Sequence, residues 1–236
     1  MEIINKKENQ ITFKADIDTS LANAIRRYVN QIPILAIDEV EIVKNGGALY
    51  DEVVAHRLGL VPLKMDKAIG NKGKLKLVTK KEGMVKSKEL KGNVDVVFED
   101  IPITFLDKDQ EIELIATTKE GIGNEHVKFS PGLMFYRNIS EITMDKDFLE
   151  DVKKICPNAN IKEKGNKIII IDDQPKGILD ICEGITDKIG KDTEVETKKE
   201  LIISLESFGQ MDVKDIFTKS VDILKKDLAE VSKKIK

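Results

Sequence analysis

The chain has 236 residues, of which 41% are hydrophobic and 34% charged, a composition typical of a globular protein and not of a disordered one. Its length can supply one large domain or two small domains with their own cores. The net charge of −3 does not favour a free-standing nucleic-acid binder of the usual basic kind, and no apolar run reaches the roughly 18 residues of a membrane span.

The few cysteines and histidines bear on compartment and metal binding. Cys156 and Cys182 are too few for a disulfide framework and favour a reducing compartment. The first residues are polar and lack the apolar segment of a signal peptide, so we expect a cytoplasmic protein. His56 and His126 lie far apart without a cysteine pattern beside them, so we expect no metal site.

The N-terminal segment predicts a strand, interrupted by a polar turn, followed by an amphipathic helix. Residues 2–15 alternate around a polar turn. Asp18, Thr19 or Ser20 can cap the following helix, and Pro33 ends it because proline supplies no N–H. By base rate such a face packs on its own chain's core, although a partner could also cover it. The apolar residues recur at helical spacing: Leu21, Ala24, Ile25, Tyr28, Val29 and Ile32.

A strand and a short helix are predicted next. Ile34–Lys44 reads as a strand, and Tyr50–Gly59 as a helix stopped by its glycine and by Pro62. His56 and Arg57 fall in the last turn of this helix, where cationic side chains suit the helix dipole.

The middle of the chain has two oppositely charged blocks. Lys64–Lys91 contains ten lysines and three acidic residues, and Gly92–His126 contains nine acidic residues and two lysines. The basic run could face nucleic acid. Alternatively, the two blocks form complementary charges on the exposed face of an antiparallel sheet, which we favour because the acidic block cancels a distant field. Three alternating runs predict strands there: Leu75–Val78, Val94–Phe98 and Glu111–Ile115.

Residues 145–184 predict a helix over 147–155, a buried strand over 167–171 and a second helix over 175–181. The strand ends in Asp172 and Asp173, as in nucleotide-hydrolysing enzymes. The chain contains no GxxxxGK[ST] loop to hold phosphates, so we reject that activity.

The C-terminal part predicts a strand over Glu200–Phe208 and a long helix capped by Asp212. The helix has an apolar stripe of seven residues: Val213, Ile216, Phe217, Val221, Leu224, Leu228 and Val231.

Two strings carry a family resemblance. LANAIRR at residues 21–27 and HRLGLVPL at 56–63, together with residues 32–38, 93–106, 121–136 and 204–228, resemble the assembly subunit of multisubunit RNA polymerases. The chain is most similar to the archaeal members of this DNA-directed RNA polymerase family, known as the D subunits, which are the counterparts of the bacterial alpha subunit's N-terminal domain.

The resemblance implies an α+β fold with a discontinuous dimerisation domain, an antiparallel sheet plus two helices, in residues 1–40 and 198–236. Residues 41–140 would form an inserted mainly-β domain, and 141–197 a ferredoxin-like insert. Some relatives bind an iron–sulfur cluster in that insert, and Cys156-Pro157 resembles the end of a cluster motif. Because a cluster needs four thiolates and only Cys156 and Cys182 exist, we expect no cluster.

The resemblance also implies a function without catalytic residues in this chain, because the family's polymerisation chemistry lies in the largest subunit. The chain would pair with a smaller subunit of the same fold, subunit L in archaea. The pair would scaffold the large catalytic subunits and small zinc-binding subunits, with DNA contacted only through the complex. The expected small-partner contact and the core behind it comprise Leu21, Ala24, Ile25, Tyr28, Val29, Phe217, Val221, Leu224 and Leu228.

The expected large-subunit contact comprises four polar residues of the two N-terminal helices, Arg26, Arg27, His56 and Arg57. A solvated helix face is the alternative for each arginine. The competing function is a stand-alone nucleic-acid-binding module that uses the Lys64–Lys91 run.

Overall fold

The computed structural model describes residues 2–65, 73–188, 190 and 193–235, which form an α+β fold with antiparallel pairing. No helix within these residues is long and apolar enough to cross a membrane. The helices are Thr19–Val29 (α1), Asp51–Gly59 (α2), Leu149–Ile155 (α3), Leu179–Asp187 (α4) and Val213–Ile235 (α5). The strands are Glu2–Lys7 (β1), Gln10–Ala15 (β2), Ile34–Asn45 (β3), Lys74–Thr79 (β4), Gly83–Lys86 (β5), Lys91–Gly92 (β6), Pro102–Leu106 (β7), Ile112–Gly121 (β8), Gly132–Asp145 (β9), Asn160–Lys164 (β10), Lys167–Asp172 (β11) and Glu194–Ser207 (β12).

The first compact unit comprises the residues up to Ala24 and Met134–Leu205. It contains a six-stranded sheet in the order β1-β2-β12-β9-β11-β10. The strand predicted over residues 2–15 is two strands, β1 and β2, which fold back at the polar turn and pair antiparallel. Alternate residues of β11 are buried because one face of that strand packs on the core. That core is made of Ile142, Met144, Phe148, Val152, Ile168, Ile170, Ile178 and Cys182.

The second unit comprises Ile25–Leu133 and the residues from Glu206 onward. It contains a four-stranded sheet, β3-β8-β4-β6, and a two-stranded sheet, β5-β7. Strands β3 and β8 pair antiparallel from Ile34↔Gly121 to Asn45↔Ile112, with two register shifts along the way. Helix α2 buries Val54 and Leu58 in the core of this unit. The predicted strand and short helix of this region are therefore confirmed.

The two units do not divide the chain where the four predicted segments do. They separate at residues 24/25, 133/134 and 205/206, within α1, β9 and β12, whereas the predicted segments meet at 40/41, 140/141 and 197/198. Each compact unit is built around its own sheets, and β10 and β11 belong to the same sheet as the N-terminal hairpin. An insert is instead defined by what relatives lack, so the four-segment division stays a prediction.

Two predictions are wrong, the strand over 94–98 and the start of the helix at 175, because hydrogen bonds to distant residues impose a different backbone path. The run 94–98 forms no strand of its own and makes only one isolated bridge, Leu63↔Val96. The Val97 N–H donates to the Pro62 carbonyl, and the Asp95 carbonyl accepts from the Lys64 N–H. Pro62 itself has no N–H with which to continue a ladder of strand hydrogen bonds. The helix predicted at 175–181 is α4 and begins at Leu179. Ahead of it, the Ile178 N–H donates to Asp172 Oδ2 at 3.2 Å, which holds residues 173–178 as a loop.

The first helix also ends earlier than its apolar pattern suggests. After Val29 the backbone tightens into a turn, with the Ile32 N–H donating to the Val29 carbonyl at 3.3 Å. Ile32 is nevertheless only 1% exposed. The spacing of apolar residues therefore predicts correctly that Ile32 is buried, although the helix has already ended at Val29.

Candidate partner interface

Asp18, one of the three candidate caps, directly precedes α1 and caps its N-terminus. The Ser20 N–H donates to Asp18 Oδ1 at 2.7 Å, and the Ala22 N–H donates to the Asp18 carbonyl at 3.0 Å. Hydrogen bonds from Ser20 lower the pKa of the Asp18 carboxyl below its usual value. The cap therefore fixes where α1 starts, and with it which residues share the apolar face of the helix.

The stripe of α1 divides into buried and open positions. Ile25 and Val29 are buried, at 5% and 1% exposure, whereas Leu21 is 46% exposed. Ala24 and Tyr28 are half-buried. The chain itself covers the first two side chains, and the other three remain accessible to a partner.

Asp212 caps helix α5, as predicted, because its Oδ1 accepts a hydrogen bond from the Lys214 N–H at 2.8 Å. Its first half packs on the chain and its second half does not. Leu224 is 8% exposed, but Leu228 is 59% exposed and Val231 52%. Phe217 and Val221 are half-buried. The apolar stripe thus contributes to the core in the first half of α5 and is exposed to solvent in the second half.

Ile235 extends this open face and was missed from the sequence. It is 81% exposed and lies four residues after Val231, so helical spacing alone could have found it. We call Leu228, Val231 and Ile235 the α5 stripe.

A hydrogen bond joins the two helices within the second unit. The Tyr28 hydroxyl donates to Asp227 Oδ2 at 3.0 Å. This hydrogen bond to the carboxylate, with burial and the negative charge of Asp227 adding to it, raises the pKa of Tyr28 above its usual value. No local pattern could have identified Asp227, because the two residues are 199 positions apart.

The four polar residues predicted to contact the large subunits lie on two different helices. Arg26 and Arg27 are in the last turn of α1, and His56 and Arg57 are in the last turn of α2; all four are exposed. The Arg57 Nη1 donates to the Ile103 carbonyl at 3.0 Å, which orients its guanidinium along β7. The opposite face of α2 is buried, so its cations point outward.

Several lysines of the basic run pair with the acidic block that follows it. Lys76 bonds to Glu113 at 2.9 Å, Lys80 to Glu111 at 2.7 Å, and Lys86 to Asp100 at 2.8 Å. Residues 66–72 of the run lie outside the described residues. These ion pairs support the prediction of complementary charges on a sheet face.

Neither the cysteines nor the histidines gather into a metal site in the part of the chain that the structure describes. Cys182 is fully buried, and burial, aided by the nearby Cys156, raises its pKa to about 11. Its thiol is therefore protonated at neutral pH. His126 has a structural use instead, since its Nδ1 accepts a hydrogen bond from the Lys128 N–H at 3.1 Å.

Comparison with known proteins gives a consistent family assignment. Residues 13–228 match the model of the RNA polymerase Rpb3/Rpb11 dimerisation domain. A DNA-directed RNA polymerase subunit Rpo3 from Methanothermobacter thermautotrophicus is 32% identical, over 95% of this chain and 94% of that protein. The Rpo3 of Pyrococcus horikoshii is 32% identical over 72% of each chain, and that of Archaeoglobus fulgidus is 27% identical over 99% of this chain and 96% of its own.

Proposed function

The chain belongs to the RNA polymerase Rpb3/Rpb11 dimerisation family, and from this premise we propose how it assembles. It is an assembly subunit of an archaeal DNA-directed RNA polymerase and heterodimerises within that complex. Its partner is the small subunit of the same fold, subunit L. The pair forms a platform for the large catalytic subunits and the small zinc-binding subunits, and the chain itself supplies no catalytic residue.

The observation that carries this proposal is the open apolar face of α5. The α5 stripe combines three large apolar side chains that are each more than half exposed, on a helix that buries Val213, Ile216 and Leu224 in its earlier turns. A contiguous exposed apolar face of this kind marks a protein contact, because leaving it in water costs free energy that a partner helix removes. Leu21, Ala24 and Tyr28 of α1 and Phe217 and Val221 of α5 complete the proposed contact.

A second part of the proposal assigns the exposed cations of α1 and α2 to the large subunits. Arg26, Arg27 and Arg57 present positive charge from the last turn of each helix, and His56 lies beside Arg57 as a further polar group. Arginine suits such contacts because its guanidinium can donate to a carboxylate through two nitrogens at once.

We also propose that the chain binds no iron–sulfur cluster. The sequence has two cysteines, whereas a cluster is held by four thiolates. The raised pKa of the Cys182 thiol supports this, because the ligating form is the thiolate. Protein purified without oxygen should lack the visible absorbance of a cluster and contain no stoichiometric iron; finding both would overturn the proposal.

Pairing is tested by co-expression with the small subunit. Alone, the chain should self-associate through the α5 stripe, and the partner should convert it into a single heterodimeric species in size-exclusion chromatography with light scattering. A stable, monodisperse monomer in the absence of the partner would contradict the proposal.

Substitutions at Tyr28 localise the contact. Tyr28→Asp places a second carboxylate beside Asp227 and an unpaired charge in the contact, so the tagged small subunit should no longer retain the chain. Tyr28→Phe is the matched control, because it removes only the hydroxyl and should leave retention intact. Circular dichroism checks that both variants fold, and undiminished retention of the aspartate variant would refute the assignment.

A further inference from the structure

The end of α5 projects beyond the point where this helix packs on its own chain. Leu224 is 8% exposed, and Asp227 is the last residue of the helix that is not exposed. Residues 228–235 are all exposed, and within the described part of the chain no side-chain hydrogen bond or ion pair involves them. At 1.5 Å per residue this segment extends about 12 Å past Asp227. The α5 stripe lies entirely on it.

A side-chain hydrogen bond holds α5 at the start of this projection. The Tyr28 hydroxyl donates to Asp227 Oδ2 at 3.0 Å, and both side chains are half-buried. A hydrogen bond from a hydroxyl to a carboxylate is charge-assisted, so it is stronger than one between neutral groups. Asp227 directly precedes Leu228, so the bond acts beside the first residue of the α5 stripe.

Tyr28 is itself held firmly by the helix that carries it. Its neighbours Ile25 and Val29 are 5% and 1% exposed, so α1 is packed against its own core on both sides of the tyrosine. A tyrosine side chain has only two rotatable torsions, so little conformational entropy is lost when its hydroxyl is fixed in place. The hydroxyl is therefore a fixed point that can orient the projecting end of α5.

The orientation of α5 at Asp227 decides where the α5 stripe lies. Over a projection of about 12 Å, a rotation of about 10° at Asp227 would move Ile235 by about 2 Å. Close-packed contacts do not tolerate a displacement of that size without losing side-chain contact. A helix that already has the bound orientation also leaves less ordering for the association step to supply.

We propose that Tyr28 and Asp227 act together as a positioning pair, which fixes the projecting end of α5 in the orientation that the small partner binds. Asp227 acts through the Tyr28 hydroxyl and not by touching the partner. This inference rests on the proposed function, since it requires the α5 stripe to be the small-partner contact. It adds how the chain prepares that contact before the partner arrives.

Amide hydrogen exchange tests the positioning in the free chain. The chain is diluted until exchange no longer depends on concentration, so that self-association does not protect the helix. Tyr28→Phe and Asp227→Ala should each speed exchange at residues 228–231 about threefold to tenfold, the equivalent of one hydrogen bond. Asp227→Asn keeps an acceptor oxygen and should restore the protection. Unchanged exchange in the first two variants would overturn the proposal.

Affinity for the small partner shows whether the pair contributes to assembly. In a titration of the immobilised small subunit, Tyr28→Phe and Asp227→Ala should each raise Kd about threefold to tenfold. The double variant should raise Kd no further, because the two residues form one bond. A change of this size leaves the retention of coexpressed chains intact, since both chains are then present well above Kd. Asp227→Asn should bind like the wild type.

Asp222→Ala is the matched control. Asp222 is exposed on the same helix, on the side that helical spacing places away from the α5 stripe. Its exchange rates and Kd should therefore stay within about twofold of those of the wild type.

The titration also separates failure of the positioning pair from failure of the heterodimer. Losses that add in the double variant would show that Asp227 contacts the partner itself, and this would overturn the proposal. If the wild type binds and both single variants bind equally well, the positioning pair alone is refuted. If the wild-type chain does not bind the small partner at all, the heterodimer assignment fails, and this proposal fails with it.

Discussion

At the scale of single residues, the densest polar arrangement is in the first unit, around Asp172. Arg137 Nη2 donates to Asp172 Oδ1 at 2.9 Å and to the Gln174 carbonyl at 2.6 Å, and the Asp172 side chain is 2% exposed. Asp172 Oδ2 also accepts from the Ile178 N–H. One carboxylate thus closes the loop between β11 and α4. The acidic end of β11 has a structural explanation that does not involve phosphate chemistry.

Removing this charge should destabilise the first unit. Asp172→Asn leaves the Arg137 guanidinium, which is 28% exposed, without its counter-charge, so we expect a loss of about 2–4 kcal/mol in the free energy of unfolding. Urea denaturation followed by circular dichroism measures it. Glu163→Gln is the control, because its ion pair with Lys146 is exposed and should contribute nothing measurable. Equal unfolding midpoints for both variants would contradict this prediction.

At the scale of elements, ion pairs connect three strands of the second unit. Glu111, just before β8, bonds to Lys44 of β3 at 2.8 Å and to Lys80, just after β4, at 2.7 Å. These two lysines lower the pKa of Glu111 from 4.5 to about 2. The basic and acidic blocks of the sequence therefore meet across the ends of adjacent strands, where each charge lies beside its opposite.

This arrangement predicts how stability depends on pH. Because the folded-state pKa of Glu111 is lowered, its contribution is complete above about pH 4.5 and is lost as the pH falls towards about 2. Urea midpoints for the wild type and Glu111→Gln should differ above pH 4.5 and converge towards pH 2. Glu120→Gln is the control, since Glu120 is exposed and has no ion pair among the described residues. A constant difference across this range would contradict the prediction.

At the scale of the whole molecule, protein contact explains more of the surface than nucleic-acid contact does. The α5 stripe lies in the second unit and leaves three large apolar side chains exposed. Lys76, Lys80 and Lys86 of the basic run instead pair with acidic neighbours, and the net charge is −3. A field from such paired charges decays within about 8 Å at physiological ionic strength.

The heterodimer with the small subunit should therefore bind duplex DNA weakly and with little salt dependence. Acidic residues beside the lysines repel the phosphates, so few counterions should be displaced and the slope of log affinity against log salt concentration should be shallow. A fluorescence-anisotropy titration at several salt concentrations measures it. A steep slope that disappears when Lys76, Lys80 and Lys86 are changed to glutamine would favour the nucleic-acid module instead.

Much of the local structure could be predicted from the sequence, because local structure depends on near neighbours. The spacing of apolar residues located α1 and α5, the stop signals Gly59 and Pro62 located the end of α2, and the cap residue marked the start of α5. Prediction failed where distant groups supply the hydrogen bonds. The run 94–98 bonds around Pro62, and the loop ahead of α4 is held by Asp172. Propensity could not anticipate either contact.

The candidate contact surfaces divide in the same way. Residue spacing was enough to show that α1 and α5 each have an apolar stripe, and two characteristic strings indicated a family of polymerase assembly subunits. Which stripe residues are covered could be seen in the folded chain alone, where Val29 is buried and Leu228 is open. Periodicity shows which side chains share a face. Whether water reaches that face depends on which distant elements of the chain pack against it, and spacing along the sequence does not show that.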